Sequence, residues 1–328
     1  MFPFDYNNIK RTLLILLLFL ILVTPIFFII YRIMIFNTTP YDPYYEYLLY
    51  HLGKNPGFVP QSPFIYRFLY PILGGFIFKI TPIIPLSQNS VFSPDEALAI
   101  QSLALLNSII IITIFVLSGV YLIKQKYFNK PVIICSSIVI LFLLFQTSFF
   151  GIDPMSLLCI LVLLFYINNP KIFSTGILLS LLVNEKVALL YFLYFILTLK
   201  SIKLNHVPLL SSFLSCLFYY ILRKYGPFEG YDNQVIFSHY LPSFISSFNY
   251  IFGLKGLYLN IFPVLILIIF YLFSNTHINL LWLLPILLLL IGMLMNLNFT
   301  IGRFVLHALP FFIPAIYQTL DVFLDTRR

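Results

Sequence analysis

Nearly uninterrupted hydrocarbon stretches fill the chain at residues 13–30, 98–123, 131–149, 155–168, 172–184, 187–199, 207–222, 257–274, 279–296 and 304–320. A helix needs about 20 apolar residues to cross a hydrocarbon core, so the pattern predicts about ten transmembrane helices. The first, placed at 12–31, follows Lys10-Arg11 and reads as a retained signal anchor, because its apolar stretch is too long for a cleaved leader and no small-residue cleavage pattern follows it. Residues 64–86 are apolar too, but Arg67, Lys79, Gly74-Gly75 and three prolines disfavour an ordinary span. They are expected to form an interfacial or re-entrant element, whose backbone must be satisfied by protein or water. The expected fold is all-α, a single polytopic helical bundle over residues 1–328. Outer loops fall at 32–97 and 223–256, helices with short hairpins at 98–222 and the last three helices at 257–320.

Composition moves the chain away from the soluble class. It is 61% hydrophobic and 9% charged, with a mean hydropathy of +0.99, where a soluble domain carries roughly a quarter charged residues. The net charge of +8 does not argue for nucleic acid, since no run of Lys and Arg is long enough to form a binding tail. The basic residues read instead as topology signals and lipid-headgroup partners. Cys135, Cys159 and Cys216 all fall in apolar stretches, without the spacing of a disulfide framework or a metal site.

The positive-inside rule places Lys10-Arg11, Lys124 to Lys130, Lys171, Lys200 with Lys203, and Arg327-Arg328 in the cytoplasm, with both termini. This requires that 64–86 not cross and that 178–199 break near Asn184-Glu185-Lys186 into two short helices. Asp42, Glu46, Asp95, Glu96, Asp153, Glu185, Glu229 and Asp232 then face out, leaving Asp5, Asp321 and Asp325 inside. Insertion depends little on acids, so it does not by itself explain the asymmetry, whereas chemistry on the outer face would.

Each of these residues has a bland reading. Asp42 before Pro43, and Asp153 before Pro154, match helix N-caps. Arg67 among aromatics matches a side chain snorkelling to a headgroup, and Glu185-Lys186 a hydrated hairpin turn. Taken together, four separate turns would have to bring ionisable groups to one face by accident. Arg303 adds a fifth, with His307 one helical turn further on. A guanidinium beside an imidazole suits a phosphate clamp, or else a headgroup anchor. In 223–256, Glu229, Asp232, His239 and several tyrosines have the chemistry of an acceptor-binding rim, while most of the tyrosines suit an ordinary interface belt.

The series Asp42, Pro63-Phe64-Ile65-Tyr66-Arg67-Phe68-Leu69-Tyr70-Pro71, Gly151-Ile152-Asp153, Leu181-Leu182-Val183-Asn184-Glu185-Lys186 and Gly302-Arg303-Phe304 to Pro310 resembles bacterial members of the GT-C glycosyltransferase superfamily. The resemblance implies a multi-pass enzyme of the bacterial inner membrane that takes a sugar from a polyprenyl-phosphate carrier. Asp42 would be the general base on the hydroxyl of a glycan or lipid acceptor. Arg67 and Arg303 would stabilise the departing phosphate, and Asp153, Glu185, Lys186, His307 and Glu46 would complete the substrate and phosphate site. Two adjacent carboxylates, common in some branches, are replaced here by Asp42-Pro43 with Glu46 next. No cofactor is therefore expected, and a divalent metal is unsupported. No outer soluble domain follows the last apolar stretch, so a small or lipid-linked acceptor is expected. The alternatives are a lipid-linked glycan polymerase or flippase, or a non-catalytic scaffold of the same fold.

Overall fold

A computed structural model describes residues 44–59, 66–80, 93–144, 152–198, 206–226, 240–251, 257–274, 280–294 and 301–325, and its regular elements there are all helical. In chain order they are α1 (Tyr44–His51), α2 (Leu69–Ile80), α3 (Pro94–Lys124), α4 (Lys130–Leu144), α5 (Asp153–Phe165), α6 (Pro170–Ser180), α7 (Lys186–Thr198) and α8 (His206–Tyr225). They continue with α9 (Tyr240–Ile251), a π-helical turn (Leu257–Ile261) that runs into α10 (Phe262–Leu272), α11 (Leu283–Leu294), α12 (Ile301–Leu306) and α13 (Leu309–Asp325).

Most of the helices follow the apolar stretches but, apart from α3, most are shorter than full spans, and α9 falls within the expected outer loop at 223–256. Among the described residues, α3 alone is long and apolar enough to cross a membrane, at 31 residues. The ten crossings expected from the sequence are therefore not met by length, and the expected first helix at 12–31 lies outside the described residues. The shortening has local causes. Pro310 lacks the N–H that would bond to the Leu306 carbonyl, so residues 304–320 split into α12 and α13 around a tight joint. There His307 N–H donates to Phe304 O at 3.2 Å and Ala308 N–H to Val305 O at 2.9 Å. Between α6 and α7, the backbone turns at 181–185, with Asn184 N–H on Ser180 O at 2.8 Å.

At the start of α3, Ser93 and Glu96 form a capping box. Glu96 N–H donates to Ser93 Oγ at 3.4 Å, and Ser93 N–H returns a bond to Glu96 Oε2 at 2.8 Å. Asp95 in the same turn pairs with Lys54 at 2.6 Å. These two acids, expected on the outer face, thus have structural uses. From this cap α3 runs through the bundle with α1, α2, α4, α5 and α13 packed on it. Its buried Ser102 and Ser118 send their hydroxyls to the carbonyls of Leu98 and Ile114 at 2.7 Å each, which satisfies polar atoms without a partner helix.

α8 is patterned inside out. Ser212 and Ser215 are buried against the bundle, while Leu210, Phe213, Leu214, Leu217, Phe218 and Ile221 are exposed. Small polar residues inward and large apolar residues outward suit a hydrocarbon surround rather than water. At the end of α5 away from Asp153, Lys124 Nζ donates to Phe165 O at 2.7 Å. Nearby, Asn129 Nδ2 donates to Asp321 Oδ1 at 2.9 Å and Gln318 Nε2 to Tyr127 Oη at 2.8 Å, closing α13 onto the α3–α4 turn. The 13 residues of α5 separate the two ends by about 20 Å.

The described part of the 64–86 element is α2, held between α1 and α3. Gly74 makes that approach possible: a Cβ there would lie 2.5 Å from Leu103 Cδ2 and 2.8 Å from Leu48 Cδ1. Gly74→Val is expected to destabilise the fold by roughly 1–3 kcal/mol through overpacking, measured as a lowered Tm in detergent. Gly75→Val, at a position whose nearest atom lies 3.6 Å away, is expected to cost less.

Candidate functional site: a buried charge cluster

Asp153 opens α5 but does not cap it, since the helix has no side-chain cap at this end. Its carboxylate, 3% exposed, turns sideways to other helices. Arg303 of α12 donates to Asp153 Oδ2 through Nε at 2.8 Å and Nη2 at 2.6 Å. The other oxygen, Oδ1, lies 3.4 Å from His307 Nε2 and 3.8 Å from Lys186 Nζ. One buried carboxylate therefore gathers side chains from the start of α5, the start of α7 and the α12–α13 region.

A second pair lies one residue away along the chain. Arg67, in the segment before α2, donates to Glu185 Oε2 through Nε at 2.9 Å and to Glu185 Oε1 through Nη2. Its Nη1 donates to Tyr44 Oη at 3.0 Å, at the first residue of α1. The turn carrying Glu185 and Lys186 is fixed by its neighbours. Asn184 Nδ2 donates to Ser156 Oγ at 3.0 Å, Asn184 Oδ1 accepts from Lys186 N–H at 3.2 Å, and Leu182 O accepts from Leu69 N–H at 3.2 Å.

Burial would raise the Glu185 carboxyl, yet the Arg67 guanidinium against it prevails and holds it below the usual carboxylate range. Among the described residues, Arg67, Lys186 and Arg303 face Glu185 and Asp153. Lys186 and Arg303 lie on the more open side, their side chains 26% and 24% exposed against 10% for Arg67. Lys186 Nζ lies over the Phe304 ring at 5.5 Å and makes no hydrogen bond among the described residues. This arrangement can accept an anion.

Comparison of the chain with protein-family models, curated proteins and solved structures gives no match.

The site residues expected from the sequence divide by position. Arg67, Asp153, Glu185, Lys186, Arg303 and His307 come together. Glu46 does not join them; it accepts a bond from its neighbour Tyr45 at 3.4 Å. Asp42 lies outside the described residues, as do Glu229, Asp232 and His239. Two expected roles change. Arg67 is engaged inward with Glu185 and Tyr44, so it fixes the site rather than facing a ligand. His307 is fully buried, with Nδ1 on the Arg303 carbonyl at 2.9 Å, so it backs Asp153 and cannot itself clamp a phosphate. Among the described residues no three His, Cys, Asp or Glu side chains are grouped to hold a metal, and Cys135, Cys159 and Cys216 are free thiols.

Three contributors were not among the site residues expected from the sequence, although Asn184 was named at the expected helix break. Tyr44 carries only the signal of being one tyrosine among many. Asn184 directly precedes Glu185-Lys186, where a side-chain-capped turn is readable from an Asn. Asn260, on the π-helical turn, accepts from Gly302 N–H at 3.0 Å and so holds the start of α12 beside Arg303; it has no local sequence signal.

Removing one partner of a buried pair strands the other. Arg67→Met is expected to destabilise the protein by roughly 3 kcal/mol, and Arg67→Met with Glu185→Leu by clearly less, read from thermal unfolding of the single and double variants. Because Glu185 is held low, its stabilisation is present above the ordinary glutamate range, about pH 4.3, and is lost as pH falls below it. Glu185→Gln is expected to flatten that acid limb of the stability profile.

Proposed function

We propose that the protein is a polytopic membrane glycosyltransferase of GT-C type that moves a sugar from a polyprenyl-phosphate carrier to a lipid-linked or small acceptor on the outer face of a bacterial inner membrane. The observation that carries this reading is Lys186 Nζ, which no described residue hydrogen-bonds, held beside Asp153 and Arg303 at one end of an apolar helical bundle. Charge is costly in such surroundings unless it has a use, and a lipid-borne phosphate arriving from the hydrocarbon is a use that matches both the sign and the location. The outward apolar face of α8 supports contact with acyl chains.

In the reaction, the acceptor oxygen attacks the anomeric carbon while Asp42 takes the hydroxyl proton. The bond between that carbon and the phosphate oxygen breaks, and the electron pair leaves with the lipid phosphate. Lys186 and Arg303 receive the growing charge, which is the electrostatic part of catalysis. Arg67, through Glu185, keeps the Lys186 turn in place, and no metal is required by these steps. Asp153 orients Arg303 and supports no proton transfer in this scheme.

A non-catalytic scaffold is the second reading, favoured by how completely Arg67 and Asp153 are engaged within the protein. Turnover separates the two. Purified protein in lipid nanodiscs is expected to consume a polyprenyl-phosphate sugar and release polyprenyl phosphate. Asp42→Asn is expected to abolish turnover at unchanged Tm, and Lys186→Met to lower kcat about a hundredfold. Full turnover by Asp42→Asn removes Asp42 as the base, and no turnover with any such donor favours the scaffold.

A further inference from the structure

Two turns meet at the end of the bundle away from Asp153. One, at 125–129, joins α3 to α4, the other, at 166–169, joins α5 to α6, and Lys124 ties them together through the Phe165 carbonyl at 2.7 Å. Lys126 and Lys171 are exposed there, as are Phe128 at 71%, Ile172 at 47% and Tyr166 at 44%. Among the described residues neither lysine side chain has a hydrogen bond or an ion pair. Lys130 opens α4 beside them. Of the acids at this end, Asp321 accepts from Asn129 Nδ2 at 2.9 Å and Asp325 closes α13 one turn further on.

Both lysines stand where local preference is against them. Lys126 has φ +67°, at the left-handed position of the motif that ends α3. There Lys126 N–H donates to Ile123 O at 3.0 Å and Tyr127 N–H to Leu122 O at 3.1 Å. Glycine takes this conformation without strain, whereas a residue with a Cβ costs stability in it. Lys171 is the second residue of α6, a helix with no acid in its first turn, so it adds positive charge at the positive end of the helix dipole. Packing compensates neither lysine, since both are exposed. Their charge therefore has its use outside the fold. Sidedness of insertion is one such use. It is served by lysines anywhere on this side, however, and does not account for Phe128, a large apolar ring standing out two residues from Lys126.

We propose that this end of the bundle is a docking surface for anionic phospholipid, with Lys126 and Lys171 on the headgroup phosphates and Phe128 at the boundary between headgroups and acyl chains. An anionic membrane surface attracts lysines, and aromatic rings settle at the headgroup level. An acidic protein would answer the lysines alone, whereas a bilayer edge answers the lysines and the ring together. The surface lies about 20 Å from Asp153 along α5 and stands whether or not the chain transfers sugars.

The test puts a reporter on the surface itself. Full-length protein carrying Phe128→Trp is reconstituted in phosphatidylcholine nanodiscs with increasing fractions of brominated phosphatidylglycerol or brominated phosphatidylcholine. Its fluorescence is read against the chain with Phe128 in place, which carries only Trp282. The added fluorescence is expected to be half-quenched at a roughly fivefold lower fraction of the anionic lipid, the worth of about one lysine near an anionic surface. Lys126→Gly with Lys171→Gln is expected to bring the two half-points together. Alone, Lys126→Gly is expected to raise Tm in neutral detergent, because glycine relieves the turn, while weakening the preference for the anionic lipid; a lysine with only a structural role does not move the preference. Equal half-points for the two lipids before the lysines are changed, or an anionic preference that survives their loss, overturns the proposal. Quenching by neither lipid overturns it as well and leaves the surface to an acidic protein partner. If the reporter chain does not assemble, the unmodified chain decides the point: its Tm is expected to be higher in phosphatidylglycerol than in phosphatidylcholine nanodiscs, by a margin that shrinks in Lys126→Gly, and a margin unchanged by that substitution overturns the proposal.

Discussion

Asp153 is a carboxylate with 3% of its side chain exposed, inside a bundle built from Leu, Ile and Phe. Moving such a group out of water is worth several kcal/mol against folding unless positive charge meets it in a fixed geometry. Meeting that condition draws in Arg303 on one oxygen and places His307 and Lys186 around the other. To be there, Lys186 opens α7, His307 sits in the joint before α13, and Arg303 sits in the short α12 that ends at that joint. The position of one carboxylate thus constrains the start of α5, the turn before α7, and the joint between α12 and α13.

The breaks and the site are one phenomenon. A bundle of uninterrupted helices offers only side chains on rods, whereas the joint at His307-Ala308 and the turn at 181–185 put backbone polar groups within reach of side chains. Asn184, Asn260 and Ser156 then work as connectors between elements. At the far end of α5 the interactions are of another kind: Lys124 on a helix carbonyl, and Asn129 and Tyr127 on the last helix, tie the bundle shut.

Much of the helical order was legible because hydrocarbon stretches announce helices whatever surrounds them. The turn at Asn184-Glu185-Lys186 could be placed from the lysines that follow it, which is a constraint on sidedness rather than a local preference. Helix lengths were less legible. Pro310 lies within an apolar stretch that hydropathy reads as continuous, but its missing N–H divides it. The site residues stood out as rare charges in an apolar chain, yet their pairing did not. Asp153 and Arg303 are 150 positions apart, and nothing local tells an N-capping Asp-Pro from an Asp whose carboxylate crosses to another helix. Likewise, Arg67 among aromatics looks the same whether it reaches out to a headgroup or in to Glu185.

That separation also orders events during synthesis. Asp153 leaves the ribosome 150 residues before Arg303, roughly ten to thirty seconds earlier at common elongation rates. Arg67 is already made by then and Lys186 follows soon after Asp153, so both cations precede Arg303. A nascent chain that has reached α11 therefore holds the Asp153 carboxylate without the guanidinium that grips it in the folded protein.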